Sequence, residues 1–518
     1  MMRPISVFCL ALLAAACKQP PSSPPVLDDE PAEAAGTASA AELPPPVPAR
    51  DVVDSVVRVN STRQEWNAWQ PWEKTPPNQR RALAAITGER RVLTTAEMVA
   101  DATYLEFESP DGTRFCPAKV AVVDYEANLA LLEPAPGTDA DAFFEGTTPL
   151  EIAEPPALGE KLDIIQIEDN GLPLRTAGIV QSVDVSSSFL PEHSFLSYRV
   201  KASMQSAASS YSLPALRDDK FAGLLLSYNS KDQLCEVGGT EIVRRFLTDA
   251  ADGNHEGFPS LGVAVARTED PSFRSWLKLA DDQGGLYVSS VRPNGAAEAA
   301  GLKKGDVLLE VDGMKIDRRG YYDHPVYGNL FWGHLIRGSK SPGEEVRLRI
   351  LRDGEASDLM ATLSRPSADD RIVPDHRFDK APNYLVKGGL IFQELSRPLL
   401  EAFGDEWRSR APLDLLDAYE NPEKFEDKAD RVVFLSGVIP TPATIGYEPL
   451  RNLIVTSVNG KPVRDIASLI QAFDSNTDEL HAIEFASENL TVQLDDTTST
   501  MVDSQLLQRG INRLSRTD

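Results

Sequence analysis

Few side chains in this chain of 518 residues are spaced for chemistry. It has six histidines and four cysteines, and neither His-Glu-x-x-His nor Cys-x-x-Cys occurs. The spacings that hold zinc on a helix face or in a knuckle are therefore missing. Residues 295–304 fail as a phosphate loop, because Leu302 follows Gly301 where a lysine belongs. Neither a metal nor an organic cofactor is expected. What remains is a hydroxyl-rich segment, Ser209-Ser210-Tyr211-Ser212, where a nucleophile would need a base beside it. His193 is the only imidazole before residue 250, and it lies in the loop-like run Pro191-Glu192-His193-Ser194. A polar loop is the simpler reading of these serines.

These residues need a frame. From residue 51 to about 248, short β-branched runs alternate with turns, the pattern of all-β barrels. The runs are 55–59, 91–94, 104–107, 118–123, 129–132, 162–167, 178–185, 199–202 and 222–228, and a helix over 240–247 closes the region. The segment between Thr62 and Gln79, rich in Trp and Pro, reads as a long loop. Further on, Leu286, Val288 and Val291 form a strand that Pro293-Asn294-Gly295 breaks. Helix formers over 296–300 stop at Gly301. Val307, Leu308, Leu309 and Val311 then run into Asp312-Gly313, a dipeptide suited to a hairpin turn. Residues 453–463, LIVTSVNGKPV, repeat that pattern of strand, Val-Asn-Gly turn and aliphatic residue.

The run AGLKKGDVLLEVDG resembles the PDZ domain of HtrA/Deg proteases, and GGLIFQELSRPLLEAFGDEW (388–407) resembles the second PDZ domain of plant-type members. The resemblance covers about 51–510. It implies a mainly β fold: a trypsin-like double β-barrel over 51–250, an α+β PDZ domain over 257–365, a linker over 366–385 and a divergent PDZ-like domain over 386–510. It also demands a Ser-His-Asp triad. The family's histidine motif is met by Thr94-Thr95-Ala96-Glu97-Met98-Val99, with Glu97 at the histidine position. The aspartate motif is met by Asn128-Leu129-Ala130-Leu131-Leu132, and Tyr211 falls at the nucleophile position. A carboxylate with an ordinary pKa near ~4.3 is a poor base for a hydroxyl, and a neutral Asn128 could not stabilise an imidazolium. No catalytic residue is therefore assigned, and Glu97 with Tyr211 is expected to fill an idle site. The alternative is an active serine endopeptidase with a rearranged site, using Ser209, Ser210 or Ser212 with His193.

The same resemblance places peptide capture at Leu261-Gly262-Val263-Ala264-Val265, where an extended ligand adds a strand to a sheet edge. The helix beside that groove is expected near 330–335. Insertions in the second PDZ-like domain, notably 420–431, point to packing or assembly there. The implied function is that of a pseudoprotease binding C-terminal peptides or unfolded chains, as chaperone, scaffold or regulator. Active Deg-type proteases are a further partner class, and a homo-oligomer, a trimer or a multiple of it, is expected.

The chain carries 78 acidic against 52 basic residues, a net charge of −26, which argues against nucleic acid. Arg3 precedes an apolar run over 5–16, and Ala14-Ala15-Ala16 leads to Cys17. This resembles a bacterial lipoprotein signal over 1–16 with Cys17 lipidated, an outer-membrane lipoprotein facing the periplasm. The alternative is a soluble periplasmic or secreted protein. Residues 17–50, rich in Pro and Ala, cannot bury a core and read as a disordered tether. Only Cys116 and Cys235 remain in the body, and they fall in different expected barrels, so they are expected to be buried thiols.

Overall fold

The structure, a computed structural model, describes residues 52–168, 170–191, 193–204, 212–367, 370–486 and 490–517. The first barrel is built from β1 (Val56–Arg63), β2 (Asn78–Gly88), β3 (Arg91–Thr94), β4 (Ala102–Glu108), β5 (Phe115–Asp124) and β6 (Leu129–Pro134). It closes in the order β1-β2-β3-β6-β5-β4. Helix α1 (Ala96–Val99) leaves the end of β3, and α2 (Ala140–Phe144) follows β6. The second barrel uses β7 (Lys161–Ile167), β8 (Pro173–Ser186), β9 (Phe195–Lys201), β10 (Pro214–Arg217), β11 (Lys220–Asn229) and β12 (Leu234–Gly238), and α3 (Thr240–Asp249) caps it. Closure removes the free sheet edges, and register shifts at Thr62/Arg63 and Val120/Val122 supply the curvature. Cys116 and Cys235 are unpaired and buried, one in each barrel, as their placement predicts.

A first α+β unit follows: β13 (Val263–Ala266), α4 (Pro271–Trp276), β14 (Leu286–Val291), α5 (Ala296–Ala299), β15 (Val307–Val311), β16 (Met314–Lys315), β17 (Tyr321–His324), β18 (Gly328–Phe331), α6 (His334–Arg337), β19 (Glu345–Arg352) and β20 (Glu355–Thr362). Its sheet runs β13-β14-β15-β19-β20. Asp312 and Gly313 both have positive φ, 50° and 81°, which the β15–β16 turn requires.

The second unit repeats that plan with β21 (Tyr384–Lys387), β22 (Leu390–Glu394), α7 (Arg397–Glu401), α8 (Trp407–Arg410), α9 (Leu413–Glu420), β23 (Val433–Val438), β24 (Leu453–Val458), β25 (Lys461–Pro462), α10 (Ile466–Asp474), β26 (Leu480–Phe485), β27 (Thr491–Asp495), α11 (Asp496–Gln508) and β28 (Ser515–Arg516). Its sheet runs β27-β26-β24-β23-β22-β21-β28. Asn459 and Gly460, at 53° and 73°, repeat the β15–β16 turn between β24 and β25.

Both units are fixed to the barrels. The Trp-rich segment between β1 and β2 is a loop, as its composition predicts, and it grips the second unit. Trp69 meets Phe403 edge-on at 5.1 Å, Ala68 O accepts from Gln393 at 3.0 Å, and Arg516 lies over Trp66 at 4.3 Å. The β17–β18 hairpin joins the barrel core through Tyr322, Tyr327 and Leu330. Tyr327 OH and Tyr198 OH each donate to Glu241, at 2.8 and 2.6 Å.

A buried ionic junction completes the docking. Asp124, at the end of β5, has no solvent exposure; His255 Nε2 lies 2.8 Å and Arg365 Nη2 3.1 Å from its carboxylate. Asp249 Oδ2 is 2.7 Å from the other nitrogen of His255. Two residues on, Glu126 meets His193 Nδ1 at 3.0 Å and Arg337 at 3.7 Å. Burial alone would raise both carboxyls. The His255 bond, Arg365 and the Ala127 N–H outweigh it for Asp124, and His193 with Arg337 does so for Glu126, so both sit below the usual carboxylate range. A depressed pKa contributes stability above the ordinary value near ~4 that is lost as pH falls through it. Melting temperature should therefore drop steeply below about pH 4. Asp124→Asn should cost roughly 3–5 kcal/mol at neutral pH and flatten that drop. Equal acid slopes for wild type and variant in a pH series of thermal melts would contradict this role.

Candidate functional site

The positions at which the family resemblance seeks a triad fall just after β3, on the β5–β6 turn and just before β10. Thr95 opens α1 without a side-chain cap, which leaves the first-turn N–H groups in need of acceptors. Asn128 supplies one: its Oδ1 accepts from Glu97 N–H at 3.0 Å. Asn128 is buried and has a φ of 54°, a left-handed conformation that Asn tolerates better than most residues. The Glu97 carboxylate accepts from Arg80 Nη1 on β2 at 2.9 Å. Sequence reasoning missed Arg80, because its link to Glu97 depends on how β2 lies beside α1.

Tyr211, with Ser209 and Ser210, lies outside the described residues. Ser212 is fully buried, and its carbonyl accepts from Leu83 N at 3.1 Å, tying the start of β10 to the first barrel. Beside the turn, a cavity of about 20 Å3 is lined by Ala127, Leu129, Ser197, Leu224 and Leu226, room for one water. None of the six histidines stands on β3 or α1. His193 and His255 serve the junction, His324 and His334 lie in the first C-terminal unit, His376 stacks on Phe378 at 5.4 Å, and His481 is 3.0 Å from Asp496.

The residues over 376–379 also reach this region. Asp379 Oδ1 accepts from Asp101 N at 2.9 Å, and Asp101 returns the bond to Asp379 N at 3.0 Å. Tyr125 OH donates to Asp379, and Phe378 packs on Tyr125 at 4.6 Å and on Phe189 at 5.1 Å. The connector is thus pinned just after α1 and on the β5–β6 turn.

The second candidate region is the edge of the first C-terminal sheet. Among the described residues β13 pairs with β14 alone, which leaves its outer side without a paired strand. Leu261 is buried, Val263 and Val265 pack toward the unit's core, and Ala264 is exposed. Gly262 has a φ of 75°, and its N–H donates to Ser260 Oγ at 3.1 Å. The expected helix over 330–335 needs correction. Leu330 and Phe331 belong to β18, and α6 begins at His334, because the hairpin extends as far as Trp332, whose N–H bonds Gly320 O at 2.9 Å. In the second unit the equivalent edge, β22, is already paired with that unit's own β21.

Comparison with known proteins defines the class. The family described as "PDZ domain" matches residues 259–363 and, in a second version, 373–512. Over 85% of this chain and 71% of the relative, the sequence is 27% identical to Protease Do-like 2, chloroplastic, of Arabidopsis thaliana. It is 24% identical to that plant's Putative protease Do-like 3, mitochondrial, over 88% of this chain and 78% of the relative. Among solved structures, HtrA-type protease AlgW with decapeptide aligns with a TM-score of 0.45 and 17% identity, over 61% of this chain and 97% of that one. The body is a trypsin-like double barrel followed by PDZ domains. Its homologues are Deg/HtrA proteases with two PDZ domains on that fold.

The Asn128 carboxamide can be tested as a structural acceptor. Asn128→Ala should cost about 1–3 kcal/mol for the orphaned Glu97 N–H and roughly 1–2 kcal/mol for the left-handed backbone. Asn128→Asp, which keeps the acceptor, should lose much less. Urea unfolding checks both, and an Ala variant as stable as wild type would remove the assignment.

Proposed function

We propose that this chain is a non-catalytic Deg/HtrA-like pseudoprotease. It binds C-terminal peptides or unfolded polypeptides at the β13 edge of its first PDZ domain, and acts as chaperone, scaffold or regulator in the cell envelope. The observation that carries this reading is the set of contacts at Glu97 and Asn128. Glu97 stands where the family resemblance asks for a histidine and is engaged by Arg80, while Asn128 caps Glu97's own backbone. A carboxylate held by a guanidinium neither accepts a serine proton efficiently at neutral pH nor returns one to a leaving amine. The full burial of Ser212 argues against its use as a displaced nucleophile.

Binding is supported by the contrast between the two PDZ edges. An extended ligand gains main-chain hydrogen bonds only where a strand is unpaired, which among the described residues holds for the outer side of β13 and not for β22. Oligomerisation and contact with active relatives belong to the same reading. So does a tether over 17–50 anchored at Cys17; a Cys17→Ser form that stays with the membrane fraction contradicts it.

A fluorophosphonate probe should leave the purified protein unlabelled, and covalent labelling at any barrel serine would establish an active endopeptidase instead. Gly262→Glu, which forces a side chain into left-handed backbone and places a negative charge at the head of β13, should weaken capture of apolar C-terminal peptides at least ~10-fold. Unchanged affinity in fluorescence anisotropy would remove the groove assignment.

A further inference from the structure

The β17–β18 hairpin reaches from the first PDZ domain into the core of the second barrel, where Tyr322, Tyr327 and Leu330 are buried. Its turn is built around one imidazole. His324 Nδ1 accepts the backbone N–H groups of Val326 and Tyr327, each at 3.2 Å. A ring nitrogen that accepts carries no proton, so His324 is neutral in the docked hairpin, with its proton on Nε2. The Tyr327 ring stacks on this imidazole at 5.0 Å with 12° between the planes, and its hydroxyl donates to Glu241 of α3 at 2.8 Å. The bond that seats the hairpin on the barrel therefore hangs on the residue that His324 orients.

A second imidazole completes the cluster. His334, the first residue of α6, meets His324 nearly edge-on at 5.8 Å. A Cβ on Gly338 would stand 2.2 Å from its Cε1, so the ring is folded back over the end of its own helix. Burial, and then the neighbouring His324, push His334 down to about 4, against the pull of Glu241. Burial also lowers His324, against Glu241 and Asp323. Glu241 is already engaged by the hydroxyls of Tyr198 and Tyr327, and Arg217 adds a positive charge that reaches Tyr327. Both imidazoles thus take a proton less readily docked than free. Stability that is complete above the ordinary value near ~6.5 is lost as pH falls from there. Protonation would turn His324 Nδ1 from an acceptor into a donor facing two other donors, and would set two cationic rings side by side.

We propose that the β17–β18 hairpin is an acid-released latch: protonation of His324 and His334 parts it from the second barrel and leaves the first PDZ domain held by the ionic junction around Asp124. Opening precedes the loss of that junction, whose carboxylates titrate lower. Mild acidity then sets how firmly the domain sits on the barrel, whether or not β13 holds a peptide.

The test is hydrogen–deuterium exchange of the full chain, corrected for the intrinsic chemical rate at each pH. Residues 320–333 report the latch, and the β19–β20 hairpin over 345–362 is the internal control. Between about pH 7.5 and about pH 5, opening of 320–333 should rise roughly 30-fold, the ratio for one group moved from ~6.5 to about 4, while 345–362 stays unchanged. His324→Asn keeps an acceptor for the turn amides without titrating, and combined with His334→Gln it should hold the change within about threefold. His334→Gln alone should remove most of the rise, a check that leaves the turn intact. Constant protection of 320–333 in wild type overturns the proposal. So does an equal loss over 345–362, which is unfolding of the domain, or a double variant that opens with acid as wild type does.

Discussion

A single hairpin turn, residues 124–128, is the constraint on which the rest of the architecture depends. Asp124 holds His255 and Arg365 at the two ends of the first PDZ domain, and Glu126 holds His193 and Arg337. Tyr125 holds the connector through Asp379, and Asn128 caps α1. Two fully or nearly buried carboxylates would be prohibitively costly without these partners, so the turn and its partners stand or fall together. By family resemblance this turn should present a catalytic aspartate. Residue 128 is an asparagine, and the turn ties α1, the connector and the first PDZ domain together.

The two PDZ domains share a strand order and a turn but not an edge. In the first, no described strand covers the outer side of β13, which is preceded by a left-handed glycine. In the second, β21 satisfies β22, and β28 in turn covers β21. The second domain therefore spends its edge on internal structure and is gripped by the Trp-rich barrel loop. The first domain's position on the second barrel is set by Tyr327 and Glu241.

Features carried by local backbone chemistry were legible in the sequence. Asp312-Gly313 and Asn459-Gly460 announced their turns, and the run over 91–94 is β3 residue for residue. Strand β2 was missed, because Arg-Arg-Ala-Leu-Ala-Ala reads as helix former and only barrel closure makes it a strand. The ionic hub was invisible because Asp124 and His255 are 131 residues apart, and no local pattern signals the pair. The pairing of β22 with β21 in the second PDZ domain was likewise not signalled by the sequence around Gly388-Gly389.

The account's central claim is that this body holds polypeptide without cutting it. Its most direct test is the intact mass of an unfolded polypeptide with an apolar free C-terminus, recovered from the complex after overnight incubation with the full chain. A single species at full-length mass, retained with the protein, is the predicted result. Fragments with new termini, or no retained polypeptide at all, would contradict it.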